Sequence, residues 1–428
     1  MECNVQEVQQ ASHLRVAVVG LGYVGLPLAV AAAEAGIRVS GVDLNTSVVA
    51  SLNDGRSHIG DVTNAQIASA RDAGFAAHAD FGVIADCDVI VICVPTPLDD
   101  NGGPDLSAVL GAAQQIVRHL QPSALVVLES TTYPGTTEEV LRPELESTGY
   151  IAGTDFHLAF SPERIDPGNE VFGITNTPKV VGGLTPECAR RASDFYSRFI
   201  DDIVLTKSTR EAEMAKLLEN TYRHVNIALV NEMAVFCNDL DIDLWDSIRA
   251  ASSKPFGFQA FWPGPGVGGH CIPIDPNYLS FKVRTLGYPF RFVELAQEIS
   301  ERMPAYVVSR SQALLNDASL SVRGSRILLA GVTYKANVAD ERESPSLPIA
   351  MRFLNLGAEV TYVDPYVEEW VVDGQSIQRT TLDSGLDQYD LVVLLQAHAE
   401  FLDYDFTNAH VKVFDTRGVL TGPNIAVL

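Results

Sequence analysis

Short runs of consecutive apolar residues mark the first part of the chain. Arg15–Gly20, Asp88–Val94 and Ala124–Glu129 each contain a stretch apolar on both faces, the pattern of strands buried in a parallel sheet. Ile37–Val42 and His157–Phe160 extend the series, and Ile203–Leu205 closes it. Leu26–Ala35 reads as a helix stopped by Gly36. From about residue 206 the period changes. Glu211–Asp239 predicts one long helix, with Met214, Leu217, Leu218, Val225, Leu229, Met233 and Phe236 on its apolar faces. Leu244–Ala250, Tyr278–Leu286 and Arg291–Leu315 predict further helices, the last kinked at Pro304. The strand pattern then returns in Arg326–Gly331, Glu359–Val363 and Asp390–Leu395, with a helix from Ser344-Pro345 to near Gly357.

The first strand runs into Gly20-Leu-Gly22-Tyr23-Val24-Gly25, then the helix, then a strand ending in Asp43. A lone G-x-G-x-x-G is weak evidence. Strand, glycines, helix, strand and an acid about 20 residues on is the dinucleotide-binding arrangement. Gly20 and Gly22 let backbone N–H groups approach a pyrophosphate at the helix that follows Gly25, and Asp43 suits a ribose 2′-hydroxyl and repels a 2′-phosphate. NAD is therefore expected over NADP. Thr96, in Pro95-Thr96-Pro97, and Thr131 follow further strands and become candidates for cofactor contact, although either is equally an ordinary turn residue. The C-terminal third echoes the first without the glycine signature, so it is not expected to hold a second dinucleotide of this kind. The fold class is α/β: two Rossmann-like doubly wound domains joined by a helical connecting domain, with limits 1–205, 206–305 and 306–428. The helical part is a candidate dimer interface.

Composition narrows the function. The chain has 428 residues, a net charge of −24 and 46% hydrophobic residues, with no basic stripe, so nucleic acid is not an expected partner. Such acidity with few lysines also fits adaptation to high salt. Cys3, Cys87, Cys93, Cys188, Cys237 and Cys271 are scattered without metal-ligand spacing. No metal is expected, and a reducing cytoplasm fits. The acidic N-terminus lacks a signal-peptide pattern, and glycines interrupt the uncharged stretch Val16–Ala33, so no membrane association is expected.

Phe256–Leu279 is a Gly/Pro loop with Cys271 at its centre. Pro263, Pro265, Pro273 and Pro276 restrict it, and Gly264, Gly266, Gly268 and Gly269 open it to a ligand. Asp275-Pro276 reads as an N-cap and first helical position, which places Cys271 just before a helix N-terminus, where a thiolate is favoured. By itself a cysteine of this kind is more often core packing. Lys216 and Asn220 project from one helix face. Lys335, Arg342 and Arg417 put positive charge near the second crevice, where each alone reads as a surface ion pair.

Together, Gly20-Leu-Gly-Tyr-Val-Gly-Leu-Pro27, Ser161-Pro-Glu-Arg164, Lys216-x-x-x-Asn220, Gly268-Gly-His-Cys-Ile-Pro-Ile-Asp275 and Tyr334-Lys335 with Arg342-Glu-Ser-Pro345 resemble the nucleotide-sugar dehydrogenases. The resemblance runs from Val16 to Gly418. It implies NAD-dependent four-electron oxidation of a sugar C6 alcohol, with NAD in the first domain and UDP largely in the second. It implies Cys271 as nucleophile, Lys216 and Asn220 as oxyanion donors aided by Asp275, and Glu163 and Thr131 with a water in acid/base steps. Glu163, Arg164, Lys216, Asn220, Phe261, Gly268, Lys335 and Arg417 become substrate contacts. Gly20, Gly22, Tyr23, Val24, Gly25, Asp43, Pro95, Thr96, Thr131 and Arg342 become cofactor contacts. Val48 stands where some members have an arginine after the ribose acid. Lys254–Gly266 is most similar to members acting on UDP-N-acetylglucosamine, with UDP-N-acetylgalactosamine and UDP-glucose as alternatives. A two-electron hydroxy-acid dehydrogenase would share the first domain without needing the Cys271 loop. A non-catalytic NAD sensor would share it without needing Cys271, Lys216 and Glu163 together.

Overall fold

Apolar runs become two sheets. In the computed structural model, which describes residues 14–99, 103–147, 149–165, 169, 171–269, 272–408 and 410–428, contacts divide the chain into two units. The first is Met1–Glu219 with Asn277–Leu286, and the second is Asn220–Pro276 with Gly287–Leu428.

The first unit is built on β1 (Arg15–Val19), β2 (Arg38–Val42), β3 (Ala76–His78), β4 (Val89–Ile92), β5 (Leu125–Leu128), β6 (His157–Phe160), β7 (Lys179–Gly183) and β8 (Ile203–Leu205). Their order is β3-β2-β1-β4-β5-β6-β7-β8, parallel except where β7 runs against β6. Alternate residues serve opposite faces. Val16 and Val18 of β1 join one core, while Ala17 and Val19 join the other. β4 divides likewise, Val89 and Val91 against Ile90 and Ile92. A sheet with an apolar core on each face is doubly wound, and it explains why these strands read as unbroken apolar runs. β2 and β4 flank β1 on opposite sides, which opens a crevice at the carboxyl ends of β1 and β4.

The second unit repeats the scheme with β9 (Arg326–Ala330), β10 (Glu359–Val363), β11 (Trp370–Val372), β12 (Gln375–Arg379), β13 (Leu391–Leu394), β14 (Lys412–Asp415) and β15 (Ile425–Val427). The order is β11-β12-β10-β9-β13-β14-β15, with only β11 and β12 paired antiparallel. Ile327 and Leu329 face one core and Leu328 and Ala330 the other.

Among the described residues no strand lies between Leu205 and Arg326. The long helix is Thr209–Asp239, and Arg291–Asp317 continues through Pro304 as one helix. No described helix is long and apolar enough to cross a membrane.

Candidate active site

In the first unit the predicted residues gather at the carboxyl ends of neighbouring parallel strands. Asp43 follows β2, Gly20–Gly25 follow β1, Pro95 and Thr96 follow β4, Thr131 follows β5, and Glu163 follows β6. Gly20 and Gly25 are required by contact. Gly20 has φ +92°, and a Cβ there would lie 2.7 Å from the Cys93 carbonyl oxygen. A Cβ on Gly25 would lie 1.9 Å from the Gly20 carbonyl oxygen. Nothing lies within 4 Å of where a Gly22 Cβ would be, so the middle glycine leaves the backbone open to a ligand. Tyr23 is exposed and Val24 half-buried beside it, just before the helix Gly25–Glu34. The Asp43 carboxylate accepts the N–H of Leu21 at 2.9 Å and of Asn45 at 2.8 Å, and stays half-buried. This cradle fits a dinucleotide.

Thr96 donates to the Thr131 carbonyl at 2.7 Å, tying the β4 and β5 turns together, and the Tyr278 hydroxyl donates to the Thr96 carbonyl. Pro95 is exposed beside them.

Glu163 is held at three points. One carboxylate oxygen accepts the N–H groups of Arg164 at 2.6 Å and Ile165 at 2.5 Å, and its carbonyl accepts from Lys216 Nζ at 2.6 Å. Its other oxygen lies 3.9 Å from Lys179 Nζ. Lys179 in turn donates to Glu129 at 3.0 Å, and the Tyr196 hydroxyl donates to the other oxygen of Glu129. Glu129, Lys179 and Tyr196 are all buried. Burial opposes charge on Lys179, but Glu129 and Glu163 outweigh it and raise the amine above its ordinary value; burial raises Glu129. Glu163, Thr177 and Lys179 line a cavity of about 10 Å³, near the minimum for one water. Sequence reading missed Lys179 and Glu129. They lie fifty residues apart and carry no motif. Arg164, an expected substrate contact, has its guanidinium engaged by Glu219 at 2.7 Å and by the Pro178 carbonyl at 2.6 Å.

In the second unit Asn220 donates to the Asp275 carboxylate at 2.5 Å, both buried. The expected N-cap residue Asp275 is itself the first residue of the helix Asp275–Arg284. The described glycines of the Gly/Pro loop pack against the segments that follow β9 and β14. A Gly268 Cβ would lie 2.6 Å from the Glu343 carbonyl oxygen, and a Gly269 Cβ 2.6 Å from the Tyr334 ring. The Gly269 N–H donates to the Arg342 carbonyl at 3.3 Å. Gly264 donates to Asn231 at 2.9 Å, and a Cβ there would sit 3.1 Å from Arg417 Nη1. The structure thus brings Gly268, the segment Tyr334–Lys335, Arg342 and Arg417 to one loop. Phe261 stacks edge-on against Tyr222. Arg342 forks onto Asp340 at 2.8 and 2.5 Å. Arg417 donates to the Leu395 carbonyl at 2.7 Å, and burial pushes its guanidinium down to about 10, still charged at neutral pH. Cys271 lies outside the described residues. Among the described residues no cluster of three or more His, Cys, Asp or Glu forms a metal site.

Three family models match in series: the NAD binding domain of the UDP-glucose/GDP-mannose dehydrogenase family at 14–200, its central domain at 210–302 and its UDP binding domain at 328–422. UDP-N-acetyl-D-glucosamine 6-dehydrogenase of Pseudomonas aeruginosa is 37% identical over 393 residues, 91% of each chain. UDP-N-acetyl-D-mannosamine dehydrogenase of Escherichia coli K12 is 34% identical over 95% of this chain and 99% of its own. The solved structure of UDP-D-ManNAc dehydrogenase from Pyrococcus horikoshii superposes with a TM-score of 0.88 at 32% identity, covering 97% of this chain and 98% of that one. With a glycine cradle that fits NAD and all three domain models in order, the chain belongs to the UDP-glucose/GDP-mannose dehydrogenase family and is an NAD-dependent UDP-sugar dehydrogenase.

Proposed function

We propose that the chain oxidises the C6 alcohol of UDP-N-acetylglucosamine to the uronic acid, in two oxidations that together remove four electrons. The observation that carries this is the loop Gly268–Asp275, whose terminal acid is held by Asn220. NAD, when bound, accepts the hydride that leaves C6 in each oxidation. Gly20, Gly22, Tyr23, Val24 and Gly25 hold its pyrophosphate, Asp43 its ribose, and Pro95, Thr96, Thr131 and Arg342 its remainder.

The protein's groups account for the rest. The first oxidation gives an aldehyde, which has a hydrogen to lose but no group that turns it into an acid. The Cys271 thiolate adds to the aldehyde carbon, and the new oxyanion takes hydrogen bonds from Lys216 and Asn220 as a thiohemiacetal forms. Loss of the remaining C6 hydrogen leaves a thioester. Water held by Glu163 and Thr131 attacks it. The C–S bond breaks, the thiol returns, and the carboxylate leaves. Asp275 orients Asn220. Lys335 and Arg417 bind the UDP part, and Arg164, Phe261 and Gly268 shape the sugar side. The same reading takes the chain as a cytoplasmic homodimer or higher homo-oligomer with domain limits near 205 and 305.

Lys254–Gly266 supports the N-acetylglucosamine substrate, as does the Pseudomonas relative. The Escherichia and Pyrococcus relatives favour UDP-N-acetylmannosamine as the second reading. Initial rates on UDP-N-acetylglucosamine, UDP-N-acetylmannosamine, UDP-N-acetylgalactosamine and UDP-glucose decide it. We expect the highest kcat/KM on the first, with two NADH per sugar. Cys271→Ala should yield no acid. Two NADH per sugar from that variant would end the covalent reading.

A further inference from the structure

Just past the carboxyl ends of the paired inner strands β9 and β13, the second unit contains a buried histidine that the proposed chemistry does not use. His398 is 0% exposed. Its Nδ1 accepts the backbone N–H of Asn337 at 3.0 Å, so the proton is on Nε2. Nε2 faces the Asp364 carboxylate at 3.1 Å and the Thr333 hydroxyl at 3.3 Å. The Thr333 hydroxyl spends its own proton on the Lys335 carbonyl at 2.9 Å, which leaves its lone pairs for the imidazole. One neutral imidazole therefore holds both ends of the five-residue turn Thr333–Asn337.

Neighbouring groups close the same turn. Gln396 donates to the Tyr334 carbonyl at 2.9 Å, and Asn337 accepts the Ala399 N–H at 2.9 Å. Asn337 has φ +62°, a conformation that a non-glycine residue keeps only when its surroundings fix it. Asp364 in turn is fixed by the N–H groups of Val332 at 2.7 Å and Tyr366 at 2.8 Å. In the middle of the clamped turn sits Lys335.

We propose that His398 is a positioning residue for substrate binding: its Nδ1 acceptor sets the Thr333–Asn337 turn so that Lys335 meets the UDP part of the substrate. This rests on the reading of Lys335 as a UDP ligand. A long, flexible ammonium side chain gains affinity when the backbone beneath it is already placed. Gln396 holds the turn through the Tyr334 carbonyl, and Asp364 holds both the imidazole and Val332, the residue before the turn.

The test is UDP binding by calorimetry in the full-length protein, with NAD binding and thermal unfolding measured in parallel. His398→Asn keeps an acceptor where Nδ1 was. His398→Gln keeps a donor toward Asp364 but loses that acceptor. We expect His398→Gln to weaken UDP binding about ten-fold and His398→Asn to stay within about two-fold, with NAD affinity unchanged in both. Lys335→Ala should weaken UDP at least as much as His398→Gln, and combining the two should add less than about two-fold, because one acts through the other. Equal effects of Asn and Gln, additive losses in the double variant, or failure of both variants to fold would overturn the proposal by placing His398 in the general stability of the unit. Unchanged UDP affinity in Lys335→Ala would instead remove the ligand reading, and the proposal with it.

Discussion

The two units solve one backbone problem in the same way and then diverge. Gly20 donates to the Val42 carbonyl at 2.8 Å, and Gly331 to the Val363 carbonyl at 2.9 Å. Leu21 donates to Asp43 at 2.9 Å, and Val332 to Asp364 at 2.7 Å. Arg15 donates its N–H to Asp88 at 2.9 Å, and Arg326 its N–H to Asp390 at 2.7 Å. The acid after the second strand is thus first a structural acceptor for the glycine turn. What differs is its other side. Asp43 is half-buried beside an open Gly22, whereas Asp364 is 1% exposed under His398. Burial alone would raise the Asp364 carboxyl, but hydrogen bonds from His398 and from the Val332 and Tyr366 N–H groups hold it below its ordinary value. A strand, glycine, strand and acid therefore make a frame. Only where the acid keeps an uncovered side does the frame suit a ribose.

The strongest way to break this comparison is at the glycines. Gly25→Ala places a Cβ 1.9 Å from backbone oxygen, so the turn must open. NAD affinity should fall at least about 100-fold, as a loss of roughly 3 kcal/mol implies, with UDP affinity kept. Gly331→Ala, whose Cβ would lie 2.5 Å from the Gln396 carbonyl oxygen, should do the reverse. Loss of both ligands in either variant would contradict separate frames.

Asp364→Asn comes next. Oδ2 takes Val332 and His398, while Oδ1 takes Tyr366 at 2.8 Å and Val367 at 3.2 Å. An amide cannot accept at both ends, so donors are orphaned in a buried place. Urea denaturation should show a loss of about 2 kcal/mol with NAD affinity intact. A neutral substitution would mean that the acid is not the keystone of the second frame.

Asp43→Ala sharpens the contrast from the other side. The ratio of kcat/KM for NAD over NADP should narrow about ten-fold, since a ribose acceptor and a charge against the 2′-phosphate go together. An unchanged ratio would leave Asp43 with the structural role alone.

The smallest expected effect is in pH. Burial pushes the Glu213 carboxyl in the first unit up to about 7, although the N–H groups of Thr137 and Gly135 and the Thr137 hydroxyl lower it. Burial pushes His224 in the second unit down to about 4. Glu213 keeps in the fold a proton that the unfolded chain releases, so its unit loses stability as pH rises from its ordinary value of 4.5 through about 7. His224 declines a proton that the unfolded chain takes, so its unit loses stability as pH falls from 6.5 through about 4. Hydrogen exchange of each unit between pH 5 and 8 should show opposite slopes of just under about 1 kcal/mol per pH unit. His224→Leu should flatten the second unit's slope; an unaltered slope would assign it to other groups.

Much of this was legible along the chain because it is local. A strand buried on both faces is an apolar run. A turn that must pass under a backbone oxygen needs glycine, and a helix face repeats every three to four residues. Those rules placed β1, β4, β5 and β9, the glycine cradle, Asp43, and the pairing of Lys216 with Asn220 on one helix. They also put Thr96, Thr131 and Glu163 at strand ends. Tertiary structure decided what depends on partners far off in sequence. The reversal of β7 against β6 and the hairpin of β11 with β12 have no local signature. Lys179 reaches Glu129 across fifty residues, Arg164 is taken up by Glu219, and His398 covers Asp364 across thirty-four. Buried charges and hydrogen bonds need partners in space, and sequence spacing is silent about which strands will bring them together.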